Sequence, residues 1–332
     1  MSISHSIRES MVKGSWIRQM FEAGARLKAE HGAENVFDFS LGNPILEPPE
    51  QVHEQIKRLL EKSEHGMHRY MPNAGFGETR EFIAGVMRDE TGYPFGSEDI
   101  VMCVGAGGGL NVVFKALLEA GDEVLALTPY FVEYGAYVQN HGGRLTLAET
   151  TAEFQPDLDS IESSLSEHTK IVIINSPNNP TGAVYSQQIL DELAQLLFRK
   201  EKDYGHPIYL VSDDIYRYIV FDGLKNSNVF LSYPNSILVN SHSKDLGLAG
   251  ERIGYIAIHP DAFGKEELYQ ALVFCNRILG FVNAPAMMQK ILPLLGNARV
   301  DISVYEKLRD KMFSMISDLG FEAIKPQGAF YI

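Results

Sequence analysis

Continuous apolar segments recur along the middle of the chain and alternate with amphipathic stretches. Six of them read DIVMCV, DEVLALT, TKIVIINS, PIYLVSDD, SILVNS and IGYIAIH, and GLNVVFKALLEAG and SQQILDELAQLLFRK are helix-like stretches between them. Strands that are apolar on both faces are typical of a sheet covered by helices on both sides. The pattern predicts a three-layer α/β domain with a mostly parallel sheet.

Different patterns flank this region. A helix is predicted from its cap at Ser15 to a stop at Gly32, followed by a short strand VFDF and a Gly/Pro-rich loop. Towards the other end, a helix in SVYEKLRDKMFSMISDLG precedes an apparent strand, FEAIKP. We expect three segments: residues 1–46, an N-terminal arm and helix with the first part of a smaller α/β domain; 47–285, the large, ligand-binding domain; and 286–332, the second part of the small domain, which we expect to be truncated.

Composition narrows the class of protein. The 332 residues are 45% hydrophobic and 22% charged, as in an ordinary soluble globular protein. Lys plus Arg number 29 against 43 Asp plus Glu, a formal charge of -14, and binding to nucleic acid would need a basic surface. A small-molecule partner is therefore expected, with no nucleic-acid partner.

The cysteines and the N-terminus indicate the cellular compartment in which the protein is expected. Cys103 and Cys275 lie far apart in apolar surroundings, so neither a disulfide framework nor a metal site is expected. The N-terminus lacks the apolar core of a signal peptide, and no apolar run approaches the roughly 20 residues of a membrane span. We expect a soluble, cytoplasmic protein with no membrane partner.

Polar residues follow several of the apolar strands. IVIINS leads to PNNPTG, IYLVS ends in Asp213, and SILVNSHS ends at Lys244. Ligands of open α/β sheets bind beyond the carboxyl ends of the strands, so these residues are expected to converge. Burial would lower the pKa of Lys244 and expose its amine lone pair for imine formation, although a solvated loop lysine is the ordinary alternative.

Two distant segments have the chemistry of a phosphate site. Arg252 with Ser241 and Ser243 supplies one set of donors, and the glycine turn in VGAGGGLNVVF leads into a helix N-terminus that favours anions. The ordinary alternatives are a tight turn for the glycines and a surface carboxylate as the partner of Arg252. Asp213, with a helix cap or a salt bridge as its alternatives, is followed by Tyr216. With Asn179 they suit pyridoxal phosphate (PLP), which offers a ring nitrogen, a phenolic oxygen, an aldehyde and a phosphate.

From about residue 36 to its end, the chain resembles the class I/II aminotransferases, which are fold type I PLP-dependent enzymes. The resemblance is carried by the order and spacing of several motifs. These are SLGNP, YMPNAGFGETR, VGAGGG, AGDEVLALTPYFVEY, NSPNNPTG, SDDIY, SHSKDLGLAGERIGY and PQGAFY.

The resemblance implies a role for each matching residue at the reactive end of the cofactor. Lys244 would form the Schiff base and shuttle the proton between the substrate Cα and the cofactor. Asp213 would keep the ring nitrogen protonated. Tyr216 and Asn179 would bind the phenolic oxygen, and Phe131 would stack on the ring.

The resemblance also implies contacts to the cofactor phosphate, to the neighbouring subunit and to the substrate. The phosphate would be held by the backbone of Ala106 and Gly107 and by Ser241, Ser243 and Arg252. Tyr70 would reach the phosphate of the neighbouring subunit, which predicts a homodimer with shared active sites. Gly42 would approach the substrate carboxylate, and His242 receives no role.

The implied activity is transfer of an amino group between an L-amino acid and a 2-oxo acid, through an aldimine and a ketimine in a ping-pong cycle. Alternatives on the same fold are a β-eliminating PLP lyase and a truncated, catalytically impaired PLP-binding member. Family members continue past GAFY to an arginine that binds the substrate α-carboxylate, whereas no arginine follows Tyr331 here. We expect a complete cofactor site with impaired or differently supplied carboxylate binding.

Two other enzyme classes fit poorly. A nicotinamide site at GAGGG would need glycine where Leu110 stands, and an acidic residue after the next strand. SHSK, from Ser241 to Lys244, fits the S-x-x-K motif of serine acyl-transfer enzymes, but K-T-G and S-D-N elements do not accompany it.

Overall fold

The computed structural model describes residues 3, 4, 7, 8, 11, 15–39, 42–62 and 65–332. Within them the chain forms ten α-helices and seven β-strands. It divides into two compact units, Met1–Ile45 and Leu46–Ile332. The predicted division into three segments stays a prediction.

The N-terminal unit contains helix α1 (Ser15–His31) and a short 3-10 helix, Ala33–Asn35. Lys28 Nζ lies 2.9 Å from Asp38 Oδ2 and ties the end of α1 to the following segment. The strand predicted over VFDF is wrong, because residues 36–39 are irregular. Phe37 and Phe39 are 82% and 80% exposed, and a strand needs a pairing partner that this segment does not find among the described residues.

The larger unit is built on one seven-stranded sheet with the order β1-β7-β6-β5-β4-β2-β3. Only β7 runs antiparallel to its neighbours; the other pairs are parallel, which confirms the mostly parallel sheet. The strands are β1 (Ile100–Cys103), β2 (Glu123–Thr128), β3 (Arg144–Glu149), β4 (Thr169–Asn175), β5 (Tyr209–Asp213), β6 (Ser236–Ser241) and β7 (Gly254–Ile258).

Helices cover both faces of the sheet, which is why the central strands are apolar without alternation. One core joins the sheet to α2 (Glu50–Lys62), α3 (Gly77–Thr91), α6 (Leu158–Ser164), α7 (Gln187–Tyr204) and α9 (Ala286–Leu295). The other joins it to α4 (Gly105–Leu117), α5 (Glu133–Asn140) and α8 (Lys265–Ile278). The last helix, α10 (Ile302–Asp318), contributes Tyr305 to a small third cluster with Tyr216 and Phe221.

Two elements differ from the sequence prediction. Strand β3 was not predicted; it lies at the sheet edge, and its partly exposed face makes RLTLAE less apolar than the central strands. The strand predicted over FEAIKP is wrong, since residues 321–326 are irregular and Phe321 is 67% exposed. Arg309 Nη1 instead donates a hydrogen bond to the Pro326 carbonyl and holds that segment against α10.

No helix among the described residues is long and apolar enough to cross a membrane. Cys103 and Cys275 are both buried and both free thiols.

The antiparallel direction of β7 brings distant parts of the chain together. Its first residue, Gly254, pairs with Cys103 at the carboxyl end of β1 and with Ser241 at the carboxyl end of β6. A Cβ on Gly254 would lie 2.5 Å from the Asn240 carbonyl oxygen and 3.1 Å from Gly105 Cα. Three backbone segments therefore meet at a distance that only glycine permits.

We expect Gly254→Ala to lower the free energy of unfolding by about 1–3 kcal/mol, because the atoms in the way belong to the backbone and cannot rotate aside. Gly250→Ala is the matched control, since a Cβ there would meet nothing within 4 Å. Urea denaturation of both variants measures the difference. Equal stability of the two variants would show that the contact at Gly254 is not limiting.

Candidate active site

The carboxyl edge of the sheet gathers the polar residues that follow the strands. Asn175 ends β4 and pairs with Asp213 at the end of β5, while Asp213 pairs with Val239, two residues before Ser241 at the end of β6. Lys244 follows three residues after Ser241. The edge thus places candidate acid, hydroxyl and amine groups on neighbouring strands.

The Lys244 amine is half-buried among aromatic rings. Nζ lies 5.1 Å from the ring centroid of Phe330 and 5.8 Å from that of Tyr216. Burial, with a smaller contribution from the positive charge of Arg252, lowers the pKa of Lys244 to about 8. About a tenth of the amine is therefore uncharged and nucleophilic at pH 7, far more than for a lysine of ordinary pKa.

Asp213 is buried at the end of β5. Its Oδ2 accepts a 2.7 Å hydrogen bond from the Tyr134 hydroxyl. Its Oδ1 is also buried but has no hydrogen-bond partner of good geometry, although the Ile215 amide lies close enough to affect its pKa. Burial raises the pKa of Asp213 to about 6, against the lowering effect of the Tyr134 hydrogen bond. An unpartnered carboxylate oxygen at this depth is costly unless a ligand donates to it.

Asn175 connects the ends of β4 and β5. Its Nδ2 donates to the Asp213 carbonyl oxygen at 2.7 Å, and its Oδ1 accepts from the Asn179 amide at 2.6 Å. The turn that carries Asn179 is thereby fixed beside the strand end that carries Asp213.

Tyr216 faces the last residues of the chain. Its hydroxyl lies 2.7 Å from that of Tyr331, and its ring meets the Phe330 ring edge-on, with 5.4 Å between centroids. Burial and the Tyr331 hydroxyl raise the pKa of Tyr216, so it remains a neutral phenol that can donate a hydrogen bond.

The hydroxyls of Ser241 and Ser243 form a buried pair 2.6 Å apart. Arg252 stands opposite the start of α4. Its Nη2 lies 3.4 Å from the Val104 carbonyl oxygen and 2.8 Å from the position of a Cβ on Gly105. A guanidinium and a helix N-terminus therefore face the same space.

Ala106 and Gly107 lie in the first turn of α4, whose backbone N–H groups have no partner within the helix. The helix begins at Gly105, earlier than the sequence predicted, because the glycines of VGAGGG form its first turn. The Tyr137 hydroxyl lies 3.0 Å from the position that a Cβ on Gly107 would occupy, so it shares this end of the site.

Three predicted residues lie at the margin or outside this group. The Phe131 ring is 5.5 Å from that of Tyr134 and borders the site. Tyr70 is 92% exposed and lines an open groove of about 370 Å³ with Phe281. Gly42 belongs to the N-terminal unit, so its role stays a prediction, and Ser40 and Leu41 of its motif lie outside the described residues.

Four residues that sequence reasoning missed complete the geometry: Asn175, Tyr134, Tyr137 and Tyr331. Asn175 could have been found, because it ends an apolar strand just as Asp213 does. The tyrosines gave no separate signal within PYFVEYGAYV and GAFYI, since their partners are distant in sequence.

These groups fit PLP. The buried Asp213 Oδ1 requires a donor such as a protonated ring nitrogen, Lys244 supplies an amine, and Arg252 faces a helix N-terminus suited to phosphate. The match between the site and PLP rests on the donors and acceptors that face the ring end and the phosphate end of the cofactor.

Comparison with known proteins agrees with this geometry. The sequence pattern of the family described as "Aminotransferase class I and II" matches residues 34–332. The chain belongs to that family. It is an aminotransferase of fold type I, and class I and II aminotransferases depend on PLP.

Individual aminotransferases resemble it along most of their length. A probable aspartate/prephenate aminotransferase of Thermus aquaticus is 34% identical over 298 residues, which are 88% of this chain and 74% of the relative. Aromatic-amino-acid aminotransferase 2 of Thermococcus litoralis is 28% identical over 98% of this chain and 82% of its own.

The crystal structure of an aminotransferase from Eubacterium rectale superposes with a TM-score of 0.94 at 38% identity, covering 99% of this chain and 83% of that chain. The aspartate aminotransferase of Thermus thermophilus with maleate gives a TM-score of 0.79 at 28% identity, covering 94% and 80%. The predicted family, fold class and activity are confirmed.

The low pKa of Lys244 in this aminotransferase can be measured directly. As the pH rises through about 8, the buried amine loses its proton, so its labelling by an amine reagent should rise with a midpoint near 8. An ordinary lysine reaches its midpoint near 10.4. Mass spectrometry of the Lys244 peptide after brief labelling at each pH provides the measurement. A midpoint above about 10 would contradict the burial argument.

Proposed function

We propose that this aminotransferase binds PLP between the first turn of α4 and the loop after β6, and transfers an amino group between an L-amino acid and a 2-oxo acid. The observation that supports it most directly is the buried Asp213 Oδ1, which has no hydrogen-bond partner of good geometry at the sheet edge that carries Lys244. When bound, PLP supplies an aldehyde that takes up amines and a ring that withdraws electrons from them.

Each end of the cofactor has its own residues in this proposal. Asp213 holds a proton on the ring nitrogen, and Tyr134 keeps the carboxylate oriented through its 2.7 Å hydrogen bond. Tyr216 and Asn179 donate to the phenolic oxygen, and Phe131 covers one ring face. The phosphate is bound by Ala106, Gly107, Ser241, Ser243 and Arg252.

Lys244 has two tasks. Its uncharged amine would hold the cofactor in the resting enzyme, and once free of it Nζ would accept the proton from the substrate Cα. The Tyr216 and Phe330 rings around Nζ limit access of water and keep its pKa near the working pH. One lysine thus serves as nucleophile and as general base.

The names of the relatives point to aspartate and aromatic amino acids as donors to test first. Gly42 is proposed to approach the substrate carboxylate.

We propose a homodimer in which Tyr70 completes the phosphate site of the partner. Tyr70 and Phe281 line the same groove, and the Phe281 ring lies 3.9 Å from the position of a Cβ on Gly108 in the first turn of α4. An exposed phenol beside the phosphate end could reach a second subunit. Phe274 and Ile278 of α8, 59% and 50% exposed, add apolar surface.

Wild-type protein with PLP should show a visible absorbance band that Lys244→Ala abolishes and Lys202→Ala, on the exposed side of α7, retains. Aspartate or phenylalanine with 2-oxoglutarate should yield glutamate, and Lys244→Ala should lower that rate at least about a hundredfold. With an amino acid that carries a leaving group at Cβ, such as cysteine, formation of pyruvate, ammonia and sulfide without glutamate would identify β-elimination instead. Absence of the band in wild type would contradict PLP binding.

Shared active sites predict complementation between inactive variants. A mixture of Lys244→Ala and Tyr70→Ala subunits, refolded together, should regain up to about a quarter of wild-type activity, because half the dimers are mixed and each contains one intact site. Lys244→Ala with Ser241→Ala is the control, since both residues serve the same subunit's site and no intact site can form. Equal activities of the two mixtures would contradict the role of Tyr70.

A further inference from the structure

His242 lies between the two serines of the phosphate site, yet its side chain is buried away from them. It is 4% exposed, and its Nδ1 lies 3.1 Å from Asp245 Oδ2. Its Nε2 is buried without a hydrogen-bond partner beside a small cavity of about 10 Å³, lined also by Tyr218, Tyr255 and Leu246. The imidazole therefore has one polar partner of good geometry, the Asp245 carboxylate.

Asp245 follows Lys244 directly and is anchored twice to the segment between α9 and α10. Its carbonyl oxygen accepts a 2.8 Å hydrogen bond from the Val300 amide. Its Oδ2 lies 3.4 Å from Arg299 Nε, and the Arg299 guanidinium stacks 4.3 Å above the Tyr218 ring. The backbone that carries Lys244 is thus tied to a distant part of the chain on its far side.

This cluster is set in an apolar environment. The same cavity is lined by Ile83 of α3 and by Leu292 and Leu295 of α9. Burying an aspartate and a histidine there beside a partly buried arginine costs desolvation energy, and apolar side chains of similar volume would pack at least as stably in many proteins. Stability alone is therefore a weak reason for these three residues to occupy this place.

The position of Lys244 offers a reason. On one side it follows Ser243 of the buried hydroxyl pair, and on the other it precedes the anchored Asp245. Both flanking residues are fixed, so the direction of the Lys244 side chain is defined. The amine is kept between the rings of Tyr216 and Phe330, where it is shielded from water.

We propose that His242, Asp245 and Arg299 are positioning residues for Lys244: Asp245 anchors the loop to Arg299 and Val300, and His242 holds the Asp245 carboxylate in the orientation that this requires. The proposal rests on the role proposed above for Lys244. His242 faces Asp245 and the Tyr255 ring, 6.0 Å away, whereas Lys244 faces Tyr216 and Arg252. The cluster acts on Lys244 through the backbone of the loop that carries both.

The test is the pH dependence of Lys244 labelling in wild type, His242→Ala and His242→Asn. In His242→Ala, loss of the imidazole should release the loop and expose the Lys244 amine to water. The labelling midpoint should then rise from about 8 by roughly one pH unit, so the labelling rate at pH 8 should fall about fivefold. Asn can donate from nearly the position of Nδ1, so His242→Asn should restore the midpoint. Glu251→Gln, an exposed charge between β6 and β7, is the control and should change nothing.

Asp245→Asn provides a second route if His242→Ala does not fold, since it keeps the side-chain shape, weakens the attachment to Arg299 and should also raise the midpoint. A lower urea midpoint with an unchanged Lys244 midpoint in these variants would overturn the proposal and leave a purely structural cluster. The reagent acts on Lys244 without PLP. The shift would therefore support the proposal even if wild type failed to bind PLP, a failure that would overturn the proposed function alone.

Discussion

The close approach of three backbone segments at Gly254 is the constraint on which the site depends. Because β7 runs against its neighbours, its first residue lies at the carboxyl ends of both β1 and β6. The strand that leads to α4 and the strand that leads to Lys244 are therefore separated by one strand without a side chain at the meeting point. Arg252, two residues earlier, reaches the first turn of α4 for the same reason.

Desolvation acts in opposite directions on the two ionisable groups at this edge. It lowers the pKa of Lys244 and raises that of Asp213, so each is driven towards its neutral form. A ligand with a protonated nitrogen at one end and a reactive carbonyl near the other would relieve both costs, because it pairs with the carboxylate and consumes the amine. The desolvation of Lys244 and Asp213 lowers the stability of the protein alone, and a ligand that neutralises both groups recovers that free energy when it binds.

Much of the fold could be predicted because the central strands are buried on both faces and read as continuous apolar runs. Strand β3 was missed because one face is exposed, and FEAIKP resembled a strand although it finds no neighbour to pair with. The candidate site was recognised where polar residues end strands. The Tyr134 contact with Asp213 spans 79 positions and the Tyr216 contact with Tyr331 spans 115, so neither leaves a local pattern.

The contact between Arg252 and Val104 joins residues 148 positions apart. Such a contact closes a long loop, so the loop entropy must be lost before the contact is gained. The anion-binding end of the site cannot assemble in a nascent chain in which β7 has not yet been synthesised. It is also lost in any partial unfolding that releases β7 from the sheet. Occupancy of this end by a phosphate group would therefore report on completion of the whole sheet, and would select the fully folded chain from its intermediates by mass action.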